Sequence, residues 1–175
     1  MLEDLGILPW AEALHTETLA PLAFKIFPDV VNRPPPKLHA FSVDYGPGGD
    51  RDLAQHVDDS QVTVNLWLGG AAEGTEVVFE GHRCLNHLDV RMRDEEAFRW
   101  QGRPGEALIH RGLHRHRTEP VQQGRRESLI FWLQDPDARE AMFARASDGE
   151  CEPYCGAPVD AVKHTAAFVF DPGPE

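Results

Sequence analysis

Residues 55–70 read Gln55-His-Val-Asp-Asp-Ser-Gln-Val-Thr-Val-Asn-Leu-Trp-Leu-Gly-Gly70. This stretch holds a His-x-Asp pair, His56 and Asp58, at the entrance to an apolar, β-branched run, Val62–Leu68. In extended backbone, residues two apart point to one face, so the imidazole and the carboxylate can converge on one cation at the mouth of a strand. Two donors do not make a metal site, and an isolated His-x-Asp is usually a surface turn; a third donor is needed. Asp59 reads as a solvated neighbour or cap rather than a ligand.

Further strands lie on either side. Leu38–Tyr45 reads as one, with His39, Phe41, Val43 and Tyr45 on a common face, and the Gly46–Asp50 cluster turns the chain after it. Thr75–Glu80, Gly105–Arg111 and Arg125–Gln134 read as strands; 82–102 is ambiguous, with a strand expected near Leu88–Met92. Apolar residues at helical spacing between Leu2 and Phe27, punctuated by Pro9 and Pro21, predict two short helices. Asn32–Pro36 is a stiff connector. Asp135-Pro136-Asp137 opens a helix over Ala138–Ala146, with acid at its positive end.

Short strands between Gly/Pro turns, with helices gathered at the N-terminus, predict a mainly β (α+β) fold. Its best-fitting form is a jelly roll, with the N-terminal helices packed on one sheet. The length of 175 residues suits one domain. It divides into helical support (1–36), a jelly-roll core (38–134), and a C-terminal helix and tail (135–175). Met92, Met142 and the N-terminal stripe are core candidates.

Composition narrows the function. A formal charge of −12 disfavours nucleic acid and anionic membranes as partners. The N-terminus carries no signal-peptide pattern, and no run approaches the roughly 18 apolar residues of a membrane span. With only three cysteines, Cys84, Cys151 and Cys155, no disulfide framework is expected, and a cytoplasmic setting is the default. Cys151-x-x-x-Cys155, with His164 downstream, invites a zinc reading, but lacks a second complete ligand pair.

The third donor for His56 and Asp58 lies in Ile109–Pro120, which offers His110, His114 and His116. Two histidines and a carboxylate occupy one face of a metal and leave the other positions open, as non-heme Fe(II) oxygenases require. Downstream, Arg126 and Ser128 sit two apart on a strand and can clamp a carboxylate. An iron-chelating keto acid with a distal carboxylate, such as 2-oxoglutarate, would span metal and clamp.

Residues 38–133 resemble the Fe(II)/2-oxoglutarate-dependent dioxygenases of the prolyl 4-hydroxylase and lysyl hydroxylase type. The resemblance rests on HAFSVDYGPGGDRDLAQHVDDSQVTVNLWLG, GTEVVFEG and GEALIHRGLHRHRTEPVQQGRRESLIFW, in that order. The family's distal pattern falls here on His116, Pro120, Gly124 and Arg126. The resemblance therefore selects His116 as the third ligand, with His114 the runner-up, and Arg126 rather than Arg125 as the clamp. It implies a double-stranded β-helix in which His56, Asp58 and His116 hold Fe(II). It also implies that 2-oxoglutarate and O2 are cosubstrates, with ascorbate a possible stimulant. The family usually carries two glycines where Gly74-Thr75 stands, a departure expected to alter a turn rather than to abolish activity.

Strand parity puts Arg126, Ser128 and Ile130 on the pocket face, with Thr63, Asn65 and Trp67. Tyr45 and Asn65 are candidate cosubstrate contacts, and Trp67 reads more readily as core. His110 and His114 read as surface groups or as supports orienting His116 through its other nitrogen. The expected reaction is hydroxylation of an unactivated C–H bond, of a prolyl- or lysyl-type side chain or a small molecule, with release of succinate and CO2. The rival readings are a non-catalytic jelly-roll sensor or scaffold, and a cupin-like enzyme independent of 2-oxoglutarate.

Overall fold

The computed structural model describes residue 2 and residues 4–158; His164 lies outside them. In chain order the helices are α1 (Leu8–Leu14), a π-helical turn (His15–Leu19), α2 (Ala20–Ile26) and α3 (Pro136–Ser147). The strands are β1 (Lys37–Tyr45), β2 (Leu53–His56), β3 (Val62–Gly69), β4 (Ala72–Glu73), β5 (Val77–His82), β6 (Ala97–Trp100), β7 (Ala107–Arg111), β8 (His114–Thr118), β9 (Gln123–Gly124) and β10 (Arg126–Gln134).

Two four-stranded sheets form among the described residues, in the orders β1-β10-β3-β7 and β2-β8-β5-β6, while β4 and β9 pair apart. Every strand pairing in the two large sheets is antiparallel. From β1 to β3, and again from β7 to β10, the chain alternates between the sheets, which is the winding of a double-stranded β-helix.

Alternation along β3 and β10 separates two environments. Val62, Val64, Leu129, Phe131 and Leu133 face outward and form one core with Ala11, Leu19, Ala23, Ile26 and Phe27 of the N-terminal segment. The other face of the same strands points between the sheets. There Val77, Phe79, Trp100 and Leu108 form a smaller apolar cluster, and the remaining interior is largely polar. The N-terminal stripe is therefore core as expected from Ala11 onward, whereas Leu5, which precedes α1, is 58% exposed and Leu8 is half-buried outside both clusters.

Pro9 stands in the first turn of α1 and Pro21 in that of α2. The π-helical turn joins the two helices without a loop and absorbs the missing donor and ring clash of Pro21. The stiff connector 32–36 is tied down by Arg33, which donates to both Asp135 carboxylate oxygens at 3.0 and 2.8 Å. Asp135 also caps α3, accepting from the Asp137 amide at 3.1 Å.

Two expectations need correction. Leu88–Met92 is not a strand, because side chains claim its carbonyls: Arg115 donates to Leu88 O and Val90 O, and Arg83 to Val90 O and Arg91 O. Met92 and Met142 are half-buried and belong to neither apolar cluster.

Phe131 is fully buried at the centre of the larger core. Phe131→Ala should lower unfolding free energy by about 3–5 kcal/mol, whereas Phe143→Ala, at an exposed site, should cost under about 1 kcal/mol. Urea titration with an unchanged m-value is the measurement.

Candidate metal centre and anion pocket

His56 ends β2, and β2 pairs with β8 so that His56 and His116 are direct partners. Their rings lie 4.2 Å apart. Asp58 follows in the turn that leads into β3, its amide donating to Gly112 O at 2.9 Å. Gly112 packs so closely on this turn that a Cβ there would stand 1.9 Å from Ser60 O, so the approach requires glycine. One donor atom from each of His56, Asp58 and His116 falls within a set spanning no more than 4.8 Å.

Backbone carbonyls set the imidazole orientations. The His56 Nδ1 lies 2.9 Å from Ala54 O, and the His116 Nδ1 2.9 Å from His114 O. An Nδ1–H donated to each carbonyl leaves each Nε2 with its lone pair facing Asp58. These nitrogens stand 3.4 and 3.8 Å from the Asp58 carboxylate. Thr63 Oγ1 donates to Asp58 Oδ2 at 2.6 Å and pairs with Ser60 Oγ at 2.8 Å, which fixes the carboxylate plane. The donor set thus fits a divalent cation bound on one face.

His110 and His114 are buried, not surface groups. They do not orient His116 with their rings; the backbone carbonyl of His114 does. His114 shares the inward face of β8 with His116, but it pairs in register with His82 and packs on Phe79. Its Nδ1 has no partner among the described residues. His110 Nε2 approaches Asp58 Oδ2 at 3.8 Å. Asp59 is exposed and contacts Arg139.

Electrostatics follow burial. Desolvation, then the neighbouring His110, pushes His116 down to about 3. Burial likewise lowers His82, His110 and His114. At His56 desolvation is outweighed by hydrogen bonding to Asp58, and the pKa rises. Asp58 is held well below the carboxylate range: burial opposes ionisation, but His56, His116, His110 and Thr63 prevail. A neutral His116 beside an ionised Asp58 is the protonation state a metal needs.

Further along the interior, Arg126 is 1% exposed. Its guanidinium donates to Thr75 O at 2.7 Å, Ser128 Oγ at 3.1 Å and Asn65 Oδ1 at 3.2 Å, and it lies 4.8 Å from the Trp67 ring. All of these acceptors are neutral, and Arg126 is in no ion pair among the described residues. Desolvation alone brings it down to about 10. Tyr45 is its register partner on β1, with a phenol oxygen accepting from Thr118 Oγ1 at a long 3.5 Å. Burial raises the Tyr45 pKa. Thr63 touches Asp58 and Asn65 touches Arg126, so metal centre and guanidinium are linked through two residues on one face of β3, roughly 7 Å of strand rise apart.

Thr75 is the departure at the glycine pair. It takes a φ of +62°, and its buried hydroxyl has no partner among the described residues, while its carbonyl receives Arg126. Sequence reading missed the Thr63–Asp58 bond and this carbonyl. Only the pocket-side parity of Thr63 hinted at the first.

A double-stranded β-helix that brings together two histidines and a carboxylate, with a buried unpaired guanidinium farther inside, defines the class of metal- and anion-binding jelly rolls. No family model matches the chain. Over 152 residues, 86% of its length, it is 34% identical to 2-oxoglutarate and iron-dependent oxygenase domain-containing protein ICU11 of Arabidopsis thaliana. It is also 34% identical over 140 residues, 80% of its length, to 2-oxoglutarate and iron-dependent oxygenase domain-containing protein CP2 of the same plant. The chain spans 38% and 36% of those relatives. A solved 2OG-Fe(II) oxygenase-family oxidoreductase from Burkholderia pseudomallei aligns with a TM-score of 0.41 and 19% identity, covering 54% of this chain and 40% of that one. The chain is thus related to the 2-oxoglutarate and iron-dependent oxygenase domain-containing proteins.

The depressed histidines set a pH dependence. In metal-free protein the unfolded chain takes up protons near pH 6.5 at His82, His110, His114 and His116, while the folded chain refuses them until lower pH. Each therefore removes up to about 1.4 kcal/mol of stability per pH unit as pH falls below about 6.5. His56 acts in the opposite sense: its contribution is full below the unfolded pKa and is lost as pH rises through the raised folded value. His15, also lowered by burial, adds to the loss; five against one, chelator-treated protein should lose stability between pH 7 and pH 5.5, measured by urea midpoint.

Proposed function

We propose that this chain is an Fe(II)- and 2-oxoglutarate-dependent oxygenase that hydroxylates an unactivated C–H bond. His56, Asp58 and His116 would hold the iron. Arg126, assisted by Ser128, Asn65 and Tyr45, would receive the distal carboxylate of 2-oxoglutarate. One observation carries this reading: a fully buried guanidinium with only neutral acceptors contacts Asn65 on the same inner face of β3 whose Thr63 holds Asp58 of the triad. Burying an unpaired cation is costly, and an anion entering the pocket recovers that cost. Bound iron with the keto acid supplies O2 activation and leaves succinate and CO2 as co-products. The chain keeps His116 neutral and His56 aimed by backbone carbonyls, holds the Asp58 plane through Thr63, and shields the guanidinium with Trp67 and Trp100.

The prime substrate we propose is a prolyl- or lysyl-type peptidyl side chain, or a related amino acid. His39, Phe41 and Trp132 form a half-buried aromatic patch, with ring centroids 5.2–5.5 Å apart, on the inner face of β1 and β10. Trp132 pairs in register with Thr63, next to the triad, and its buried indole N–H has no partner among the described residues. An apolar ring or side chain with a nearby acceptor suits that surface, and the net charge of −12 favours a basic segment. No helix among the described residues is long and apolar enough to cross a membrane. The free thiols suit the reducing cytoplasm we assign to the chain.

With Fe(II), ascorbate and O2 but no prime substrate, the protein should turn 2-oxoglutarate slowly into succinate. His116→Ala should abolish this and His114→Ala retain it. Arg126→Met should raise the 2-oxoglutarate KM about 10–100-fold, because the charge-assisted bonds to the distal carboxylate are lost. If wild type yields no succinate and no anaerobic Fe(II)/2-oxoglutarate charge-transfer band, the non-catalytic binding module replaces this reading. Turnover insensitive to Arg126 would point instead to a reaction independent of 2-oxoglutarate.

A further inference from the structure

The second half of the incomplete cysteine motif lies 64 residues upstream of Cys151. Cys84 caps a short 3₁₀ turn, Leu85–His87, in the β5–β6 connection, and the His87 amide donates to Cys84 O at 3.0 Å. That turn presents a Cys-x-x-His pair. The segment after α3 folds into turns of its own, with the Cys155 amide donating to Glu152 O at 2.9 Å, and presents Cys151 and Cys155. The two pairs meet. Cys84 Sγ lies 3.1 Å from His87 Nδ1 and 3.3 Å from Cys151 Sγ. His87 Nδ1 stands 3.5 Å from Cys151 Sγ and 3.6 Å from Cys155 Sγ.

We propose that Cys84, His87, Cys151 and Cys155 form a structural zinc site, separate from the His56–Asp58–His116 centre. One atom from each of the four falls within 4.8 Å of all the others. A tetrahedral zinc with Zn–S of about 2.3 Å and Zn–N of about 2.0–2.1 Å has its ligand atoms roughly 3.5–3.8 Å apart, close to this arrangement. Three cysteines and one imidazole are the soft, closed donor set of structural zinc, with no position left for substrate. The thiols are not joined as disulfides. The Cys84 amide donates to Cys155 Sγ at 3.3 Å, the kind of surrounding bond that steadies a thiolate ligand.

The site explains how an otherwise weakly packed segment is held. Both connected segments are irregular, and neither contributes a residue to the larger core. The zinc would clip residues 151–155 onto the β5–β6 connection. Beside the clip, the Gly156 amide donates to His82 O at 2.9 Å and Arg93 donates to Gly156 O. Tyr154 then lies edge-on to His82, 4.2 Å between ring centroids, and under the Arg111 guanidinium at 4.7 Å. The connection is in turn fastened to β8 by Arg115, which stands between His114 and His116. Zinc would thus brace one end of the barrel without touching the reacting groups. This inference does not rest on the oxygenase reading.

Metal analysis of the full chain, purified without added metal and dialysed against a chelator to strip loosely held iron, should find about one zinc per chain. Its zinc-edge X-ray absorption should fit three sulfurs and one nitrogen. Cys151→Ser and Cys155→Ser should lose the zinc and melt earlier, and His116→Ala should keep it. Cobalt loaded in place of zinc should give the visible bands of tetrahedral thiolate coordination. Zinc that disappears with His116, a shell without sulfur, or a disulfide among the three cysteines on mass spectrometry without reductant would each overturn the proposal. The wild-type measurements decide the matter even if a cysteine variant fails to fold.

Discussion

The register of β10 between β1 and β3 is the constraint on which both faces of the major sheet depend. Leu129, Phe131 and Leu133 face the N-terminal helices, while Arg126, Ser128 and Ile130 face inward. A slip of one residue would exchange the sets, burying a guanidinium among leucines and turning Phe131 towards the metal centre. Such a slip forfeits the outer core and the inner hydrogen bonds together. That coupling lets one strand carry both the apolar packing and a charged pocket residue.

The inner compartment contributes little apolar stabilisation of its own. It holds His82, His110, His114, His116, Asp58 and Arg126, all buried, beside a small cluster around Phe79. Each buried polar group is costly unless held in a fixed geometry. At the triad, backbone carbonyls and Thr63 supply that geometry. Desolvation then has a useful side, since it keeps imidazoles neutral and their lone pairs available. The outer core, where two helices cover the sheet, offsets the cost. Stability and chemistry are assigned to opposite faces of the same strands.

Much of this arrangement was legible in the sequence, because strand parity needs only local spacing. The alternation in Val62–Leu68 placed Thr63, Asn65 and Trp67 on one face, and the two-residue step joined His56 to Asp58 and Arg126 to Ser128. Strand parity alone did not choose among His110, His114 and His116; the spacing of the family's distal pattern pointed to His116. His114 and His116 lie on the same face of β8, and pairing with β2 decides which one meets His56. The Cys84–His87 pair was missed for a related reason. A pair of donors has no meaning until the topology delivers a second pair, and here it arrives from a segment that makes no strand. The expected strand at Leu88–Met92 failed because arginines from two neighbouring elements take its carbonyls, a tertiary effect with no local signal.

Thr75 joins the strain of the backbone to the chemistry of the pocket. A β-branched residue at φ +62° is disfavoured by about 1–3 kcal/mol, and its buried hydroxyl has no partner among the described residues. Glycine would adopt that turn freely, so the Gly74-Thr75 pair persists against local preference. What holds it is the carbonyl: in this conformation Thr75 O accepts from Arg126 Nη1 at 2.7 Å. The guanidinium is already held by Thr75, Ser128 and Asn65, so on the proposed reading it would be oriented before an anion arrived. Strain at one turn residue, and a cation kept from water, are both spent on preorganising a single side chain.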